Sequence, residues 1–216
     1  MVTEIVSVER DGGAAARSAL EGCVLGGGVA IFPADGLYGL ACDPARFDAI
    51  ERIHALKGRD AGKPSAVLYF SPLAMRELVS SLGPRTRDAL GALLPGAVTL
   101  VVANPQHRYP FACREDPERL GVRLIDGVLA GSTCALFQTS ANRAGEPAPS
   151  SFDAIEPSLL AGVDLAIDGG ELTGLASTVV DITAIERGGE ELILREGAVP
   201  AQRVSSLLAA LSSESR

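Results

Sequence analysis

Short apolar runs alternating with helix-like segments constrain this chain more than any other feature of it. Residues 29–32, 66–70, 97–103, 120–125, 134–137, 163–167 and 177–182 are mostly apolar, the last of them rich in β-branched residues, and Gly, Pro, Asp or Asn cluster around them. Runs of that length predict strands, since a buried helix needs a longer pattern. The segments between them carry helical signals. Residues 14–25 are Ala-rich and are stopped by Gly26-Gly27-Gly28. Asp43-Pro44 predicts the N-cap and first turn of a helix whose apolar face is Phe47, Ile50, Ile53 and Leu56. Further helices are expected over 71–80 and 84–93, from Ser150-Ser151 to about residue 160, and from Pro200 onward with Val204, Leu207, Leu208 and Leu211 on one side. Residues 33–40 read as a tight turn, and Arg187-Gly188-Gly189-Glu190 as a hairpin turn whose returning strand is 191–195. A terminal hairpin beside helical crossovers predicts an α/β domain with a mixed sheet.

The 216 residues, 47% hydrophobic, suffice for one substantial core. A single domain over 1–211 is expected, with a polar, frayed tail at 212–216. A net charge of −8 argues against a surface made for general binding to nucleic acid or an anionic membrane, and leaves room for a local basic cleft. Cys23, Cys42, Cys113 and Cys134 have neither paired zinc spacing nor the density of a disulfide scaffold, so reduced thiols in a cytoplasmic protein are expected. Residues 1–11 hold no signal-peptide core, and the apolar stretch 93–103 is cut by Pro95-Gly96 and too short for a bilayer.

Three places carry polar chemistry. The stretch from Gln138 to Pro147 crowds hydroxyls, an amide, a cation and turn residues at the carboxyl end of a strand, the usual ligand position in an α/β sheet. Taken alone, Thr139, Ser140 and Asn142 suit an ordinary turn better. Lys57, Arg59 and Lys63 place three cations within seven residues, spaced by Gly58 and Gly62. Complementing a helix dipole accounts for Lys57 by itself, and an anion site accounts equally well for the set. Arg123 lies inside an apolar strand, where an inward side chain needs a protein carboxylate or a ligand anion. His54 and His107 stand in no hydrolase-like motif, His54 being assigned to the core. Ser140 lacks the Gly-x-Ser-x-Gly turn of a nucleophile and is assigned to binding.

Taken together and in order, Phe32-Pro33-Ala34-Asp35-Gly36-Leu37-Tyr38-Gly39-Leu40, Lys57-Gly58-Arg59 with Lys63-Pro64, Pro95-Gly96-Ala97-Val98-Thr99-Leu100, Val122-Arg123, Thr139-Ser140-Ala141-Asn142 with Gly145, Ser177-Thr178-Val179-Val180-Asp181 and Leu194-Arg195-Glu196-Gly197 resemble the YrdC-like family of threonylcarbamoyl-adenylate synthases, in its short form without the extra carboxyl-terminal domain. The resemblance implies an open, twisted mixed sheet with flanking helices and a basic concave cavity. It also implies a nucleotidyltransferase that condenses L-threonine, bicarbonate or carbon dioxide, and ATP to L-threonylcarbamoyladenylate and pyrophosphate, supplying threonylcarbamoyladenosine at tRNA position 37. Carried over by position, Arg59, Lys63, Asn142, Ser150 and Arg195 are expected at ATP, with Lys57 and Arg59 stabilising phosphate, and Arg123, Ser140 and Ser177 at threonine or its carbamate. Mg2+ is expected with ATP, without a dedicated cage of carboxylates. Transient contact with the tRNA-modifying transfer machinery and weak RNA binding are left open.

The chain departs from the family pattern at Ala34 and Gly36, where threonines are typical, at Leu68, where some members carry histidine, and at Ala144, where serine is common. The loss at Gly36 weakens threonine as the amino acid. Two alternatives therefore stand beside the synthase: a divergent paralogue adenylating another carbamate or carbamoyl compound, and a non-catalytic RNA-binding module. Acidic net charge and only 4% aromatic residues count against the module, since stacking platforms for bases are scarce.

Overall fold

The computed structural model describes residues 2–60 and 62–214. Its elements run β1 (Glu4–Ser7), α1 (Val8–Asp11), α2 (Gly13–Leu25), β2 (Ala30–Pro33), β3 (Tyr38–Cys42), α3 (Phe47–Lys57), β4 (Ala66–Tyr69), α4 (Pro72–Ser80), α5 (Pro84–Leu93) and β5 (Val98–Ala103). They continue α6 (Pro110–Cys113), β6 (Arg119–Leu124), β7 (Leu136–Ser140), α7 (Pro157–Ala161), β8 (Leu165–Asp168), β9 (Thr178–Asp181), β10 (Leu192–Arg195) and α8 (Ala201–Glu214), with 3-10 turns at Phe152–Ala154 and Ile185–Arg187. The strands form one mixed sheet in the order β1-β8-β2-β3-β7-β4-β6-β5-β9-β10. Parallel pairs (β1 with β8, β8 with β2, β4 with β6, β5 with β9) are mixed with antiparallel ones, as the crossovers and hairpins in the sequence require.

The two faces of the sheet are covered unequally, and that inequality makes the site. One face is packed by α3, α4, α5 and α8, with Ile31, Leu40, Ile53, Leu78, Leu90, Leu100, Val122, Val180 and Val204 in a single buried cluster. On the other face α2 lies over β1, β8 and β2, burying Leu20 and Val24 with Phe32, Leu68, Leu165 and Ile167. Each such side chain, fully withdrawn from water, contributes about 1.5–3 kcal/mol. Strands near α2 are buried on both sides and read as unbroken apolar runs, as β2 and β3 do. Beyond α2's reach, β6, β5 and β9 alternate. Val98, Leu100, Val122 and Val180 point into the core, while Thr99, Arg123 and Val179 line a cavity on the uncovered face.

Several boundaries differ from the sequence reading. Only 34–37 form the expected turn; Tyr38–Cys42 is a strand, wholly buried between β2 and β7. Asp43 does not cap α3, which begins at Phe47, because its Oδ1 accepts from the Ala45 N–H at 2.8 Å and closes a local turn instead. Ser71 does cap α4, accepting from the Leu73 N–H at 3.1 Å. The helix expected from Ser150-Ser151 is split into the 3-10 turn and α7, with no cap from Ser151. β7 continues through Ser140, so Gln138, Thr139 and Ser140 belong to the sheet. β1, too short and polar to signal itself, is held by pairing with β8. The last helix runs to Glu214; the tail expected at 212–216 reaches residues 215 and 216, outside the described ones. Among the described residues no helix is long and apolar enough to cross a membrane.

Candidate functional site

A cavity of about 430 Å3 opens on the uncovered face. Its wall gathers the β2–β3 turn (Ala34, Asp35, Leu37), Arg59 from beyond α3, Thr99 of β5, Arg123 of β6, Gln138, Thr139 and Ser140 of β7, Asn142, Ser177 and Val179 at the start of β9, and Arg195 of β10. Of the residues expected from sequence, Arg59, Arg123, Ser140, Asn142, Ser177 and Arg195 meet here. Lys63 and Ser150 stand outside the wall. Lys63 is exposed, and the Ser150 carbonyl accepts from the Leu172 N–H at 2.7 Å, tying two loops together.

Gly58 decides which cation faces the cavity. It ends α3 in the left-handed region, φ +59°, a conformation glycine enters without a Cβ penalty. The chain reverses there, leaving Lys57 beneath the 140–142 loop and sending Arg59 to the cavity. Lys57 is 3% exposed. Its ammonium donates to the Ser140 carbonyl, to the Asn142 carbonyl at 2.6 Å and to Asn142 Oδ1 at 3.2 Å. Burial, and then the charge of Arg59, lower its pKa from 10.5 to about 8. The expectation that Lys57 stabilises phosphate is corrected: all three of its donors are engaged by the loop. Asn142 donates to the carbonyls of Arg143 and Glu146, so its amide organises the loop that it also exposes.

The three guanidiniums differ in their counter-charges. Arg123, 5% exposed, donates to Asp35 Oδ1 at 2.6 Å and to Gln138 Oε1 at 3.1 Å, so its charge is already compensated. Asp35 supplies one of the two partners the sequence left open for Arg123, the protein carboxylate. Arg59 donates to Thr139 Oγ1 and the Pro64 carbonyl, both at 2.8 Å, and Arg195 to the Ser177 carbonyl at 2.8 and 3.2 Å. Among the described residues neither has a carboxylate partner. Burial lowers the pKa of Arg59, and burial together with Arg123 lowers that of Arg195. Both environments therefore favour an arriving anion.

Sequence reasoning missed Thr99 and Asp35 as wall residues, while Gln138 opens the stretch it marked as a ligand position. Thr99 pairs its hydroxyl with Ser177 at 2.9 Å, and the period-2 alternation of β5 was the available signal for it. Asp35 was assigned to the turn. Gly36 beside it is needed for close approach: a Cβ there would collide with the Leu175 carbonyl, and Gly36 itself accepts from the Gly174 N–H at 2.9 Å. His54 lies 3% exposed against Phe137, outside the cavity wall, and burial lowers its pKa.

The Sua5/YciO/YrdC family model, whose description reads telomere recombination, matches residues 23–197. A threonylcarbamoyl-AMP synthase of Nitrosococcus oceani is 37% identical over 129 residues, 57% of this chain and 69% of the relative. One of Xanthomonas oryzae pv. oryzae is 33% identical over 150 residues, 66% of this chain and 80% of the relative. The solved structure of an H234A/Y235A variant of P. abyssi Sua5 superposes with a TM-score of 0.80 at 27% identity, covering 95% of this chain, which spans 63% of the Sua5 chain. The matched span contains every cavity residue named above, and the chain belongs to the Sua5/YciO/YrdC family.

Proposed function

We propose that this chain condenses L-threonine, bicarbonate or carbon dioxide, and ATP to L-threonylcarbamoyladenylate and pyrophosphate, the product serving threonylcarbamoyladenosine formation at tRNA position 37. The observation that carries it is one cavity holding two guanidiniums, Arg59 and Arg195, without carboxylate partners among the described residues, beside the hydroxyls of Thr139, Ser140 and Ser177. A carbamate oxygen attacks the α-phosphorus and pyrophosphate leaves, a displacement that asks for alignment and charge stabilisation without a protein nucleophile. The synthases of Nitrosococcus and Xanthomonas, aligned over most of their length, support the same reaction.

In this scheme Arg59 and Arg195 hold the triphosphate and the leaving pyrophosphate. Ser140 and Ser177 bond the amino acid or its carbamate. The Arg123–Asp35 pair, zwitterionic as an amino acid is, shapes the wall that receives it. Among the described residues no group of three or more His, Cys, Asp or Glu side chains could hold a metal ion, and the cavity's acids are only Asp35 and Glu146. These donors do not fit a protein-held magnesium site, and no step depends on one.

A paralogue adenylating another carbamate has one observation on its side: the Leu175 carbonyl fills the space that a side chain at Gly36 would need. Pyrophosphate release, measured with ATP, magnesium and bicarbonate, with and without L-threonine, tests both. Threonine-dependent release, weakened at least about tenfold in kcat/KM but still measurable in folded Arg59→Ala and Arg195→Ala variants, supports the synthase. Release indifferent to the amino acid, or requiring a carbamoyl donor, supports the paralogue.

A further inference from the structure

Arg195 sits on the last strand of the sheet, and an edge strand gives a side chain little support. β10 pairs only with β9, and Leu192 and Leu194 are exposed at 60% and 48%. Its register is also broken: Ile193 stands opposite Val180 while Arg195 stands opposite Val179, with Leu194 bulged between. Strict alternation would leave Arg195 on the core face with Ile193. The bulge shifts it to the face of Val179, over the cavity.

Something must hold that bulged exit in place. Thr178, at 0% exposure, is placed to do so. Its hydroxyl donates to the Val199 carbonyl at 2.5 Å and accepts from the N–H groups of Gly197 at 3.0 Å and Val199 at 3.1 Å. One donor and two acceptor positions are thus all in use. The bonds close over the segment that follows Arg195, while the adjacent Ser177 carbonyl accepts from the Arg195 Nε and guanidinium. Gly197 permits the closure, since a Cβ there would collide with the Ala176 carbonyl, and the Ala198 N–H reaches that same carbonyl at 2.8 Å.

We propose that Thr178 is a positioning residue whose hydroxyl latches the 197–199 segment onto β9 and so fixes the reach of Arg195 into the cavity. It touches no substrate and acts through Arg195. The assignment rests on the cavity being the ATP site proposed above. A hydroxyl with three backbone partners is more than packing requires, and valine would fill the same volume.

The experiment is a double-mutant cycle on pyrophosphate release by the full chain, with KM for ATP and kcat measured separately. Thr178→Val is expected to raise KM for ATP and lower kcat/KM by about tenfold, and Thr178→Ser to stay within about threefold of the parent. In an Arg195→Ala background, Thr178→Val is expected to change kcat/KM by less than about twofold, because the group it positions is already absent. Losses that multiply in the double variant, or a folded Thr178→Val within twofold of the parent, overturn the proposal. If Thr178→Val fails to fold, Gly197→Ala, which breaks the same latch from the other side, enters the cycle with the same two outcomes. A parent chain that releases no pyrophosphate would strike the functional reading instead, and the cycle is then read from calorimetric affinity for inorganic pyrophosphate.

Discussion

Lys57 and Arg59 are two residues apart in sequence and do unlike work, because a left-handed glycine separates them. The Lys57 ammonium has three N–H donors for three loop oxygens; the neutral amine has two. Its pKa is lowered from 10.5 to about 8. Between those values the unfolded chain holds a proton that the native chain has released, so this group's contribution to stability rises with pH across that window. Below about 8 the whole burial penalty stands. Activity is expected to move the other way, falling above pH 8 as one loop oxygen loses its donor, and initial rates beside thermal melts on both sides of that value check the opposition. Lys57→Met is expected to abolish the inflection and to destabilise the fold by about 1–3 kcal/mol, the cost of leaving buried acceptors unpaired. The cluster of cations was legible in the sequence; their division of labour was not. It depends on a backbone angle at Gly58 and on what the 140–142 loop lays over Lys57, neither of which a residue's identity reports.

Among elements, the turn at 34–37 and the loop at 172–176 depend on each other. The Gly174 N–H bonds the Gly36 carbonyl, and the Leu175 carbonyl occupies the place of a Gly36 side chain. Gly36→Thr, which would return the residue typical of the family, is therefore expected to destabilise the chain by about 1–3 kcal/mol through overpacking, without gaining activity. A denaturant melt with a threonine titration of the rate checks it; a stable, more active variant would show that the loop yields easily. Elements with a complete local signal, such as α4 with its Ser71-Pro72 start and α5 over Pro84–Leu93, were legible in the chain. β3 was not, because Tyr-Gly-Leu-Ala-Cys, carrying Gly39 soon after Gly36, looks like more turn until β2 and β7 are known to flank it. The bulge in β10 was equally silent, since alternation breaks there only relative to β9.

At the scale of the whole molecule, residues 35, 59, 99, 123, 138–140, 142, 177 and 195 converge because β7 enters the sheet between β3 and β4 and β9 adds beyond β5. Strand order of this kind follows from how crossovers pack, which short-range pattern does not encode, so convergence was reached by resemblance and not by periodicity. The result is a chain of net charge −8 that concentrates three guanidiniums on one wall and, among the described residues, offsets only one of them with a carboxylate. An anion that binds Arg59 and Arg195 in the native chain and not in the unfolded one should stabilise the whole fold by linkage. At a hundred times its dissociation constant, ATP or pyrophosphate is expected to add about 2.7 kcal/mol, a rise in Tm of roughly 5–10 °C for a domain of this size. The folded Arg59→Ala, Arg195→Ala double variant is expected to show almost no rise with either anion. A double variant that keeps the full rise would place the anion elsewhere on the molecule, since the two cations are the only part of the site it changes.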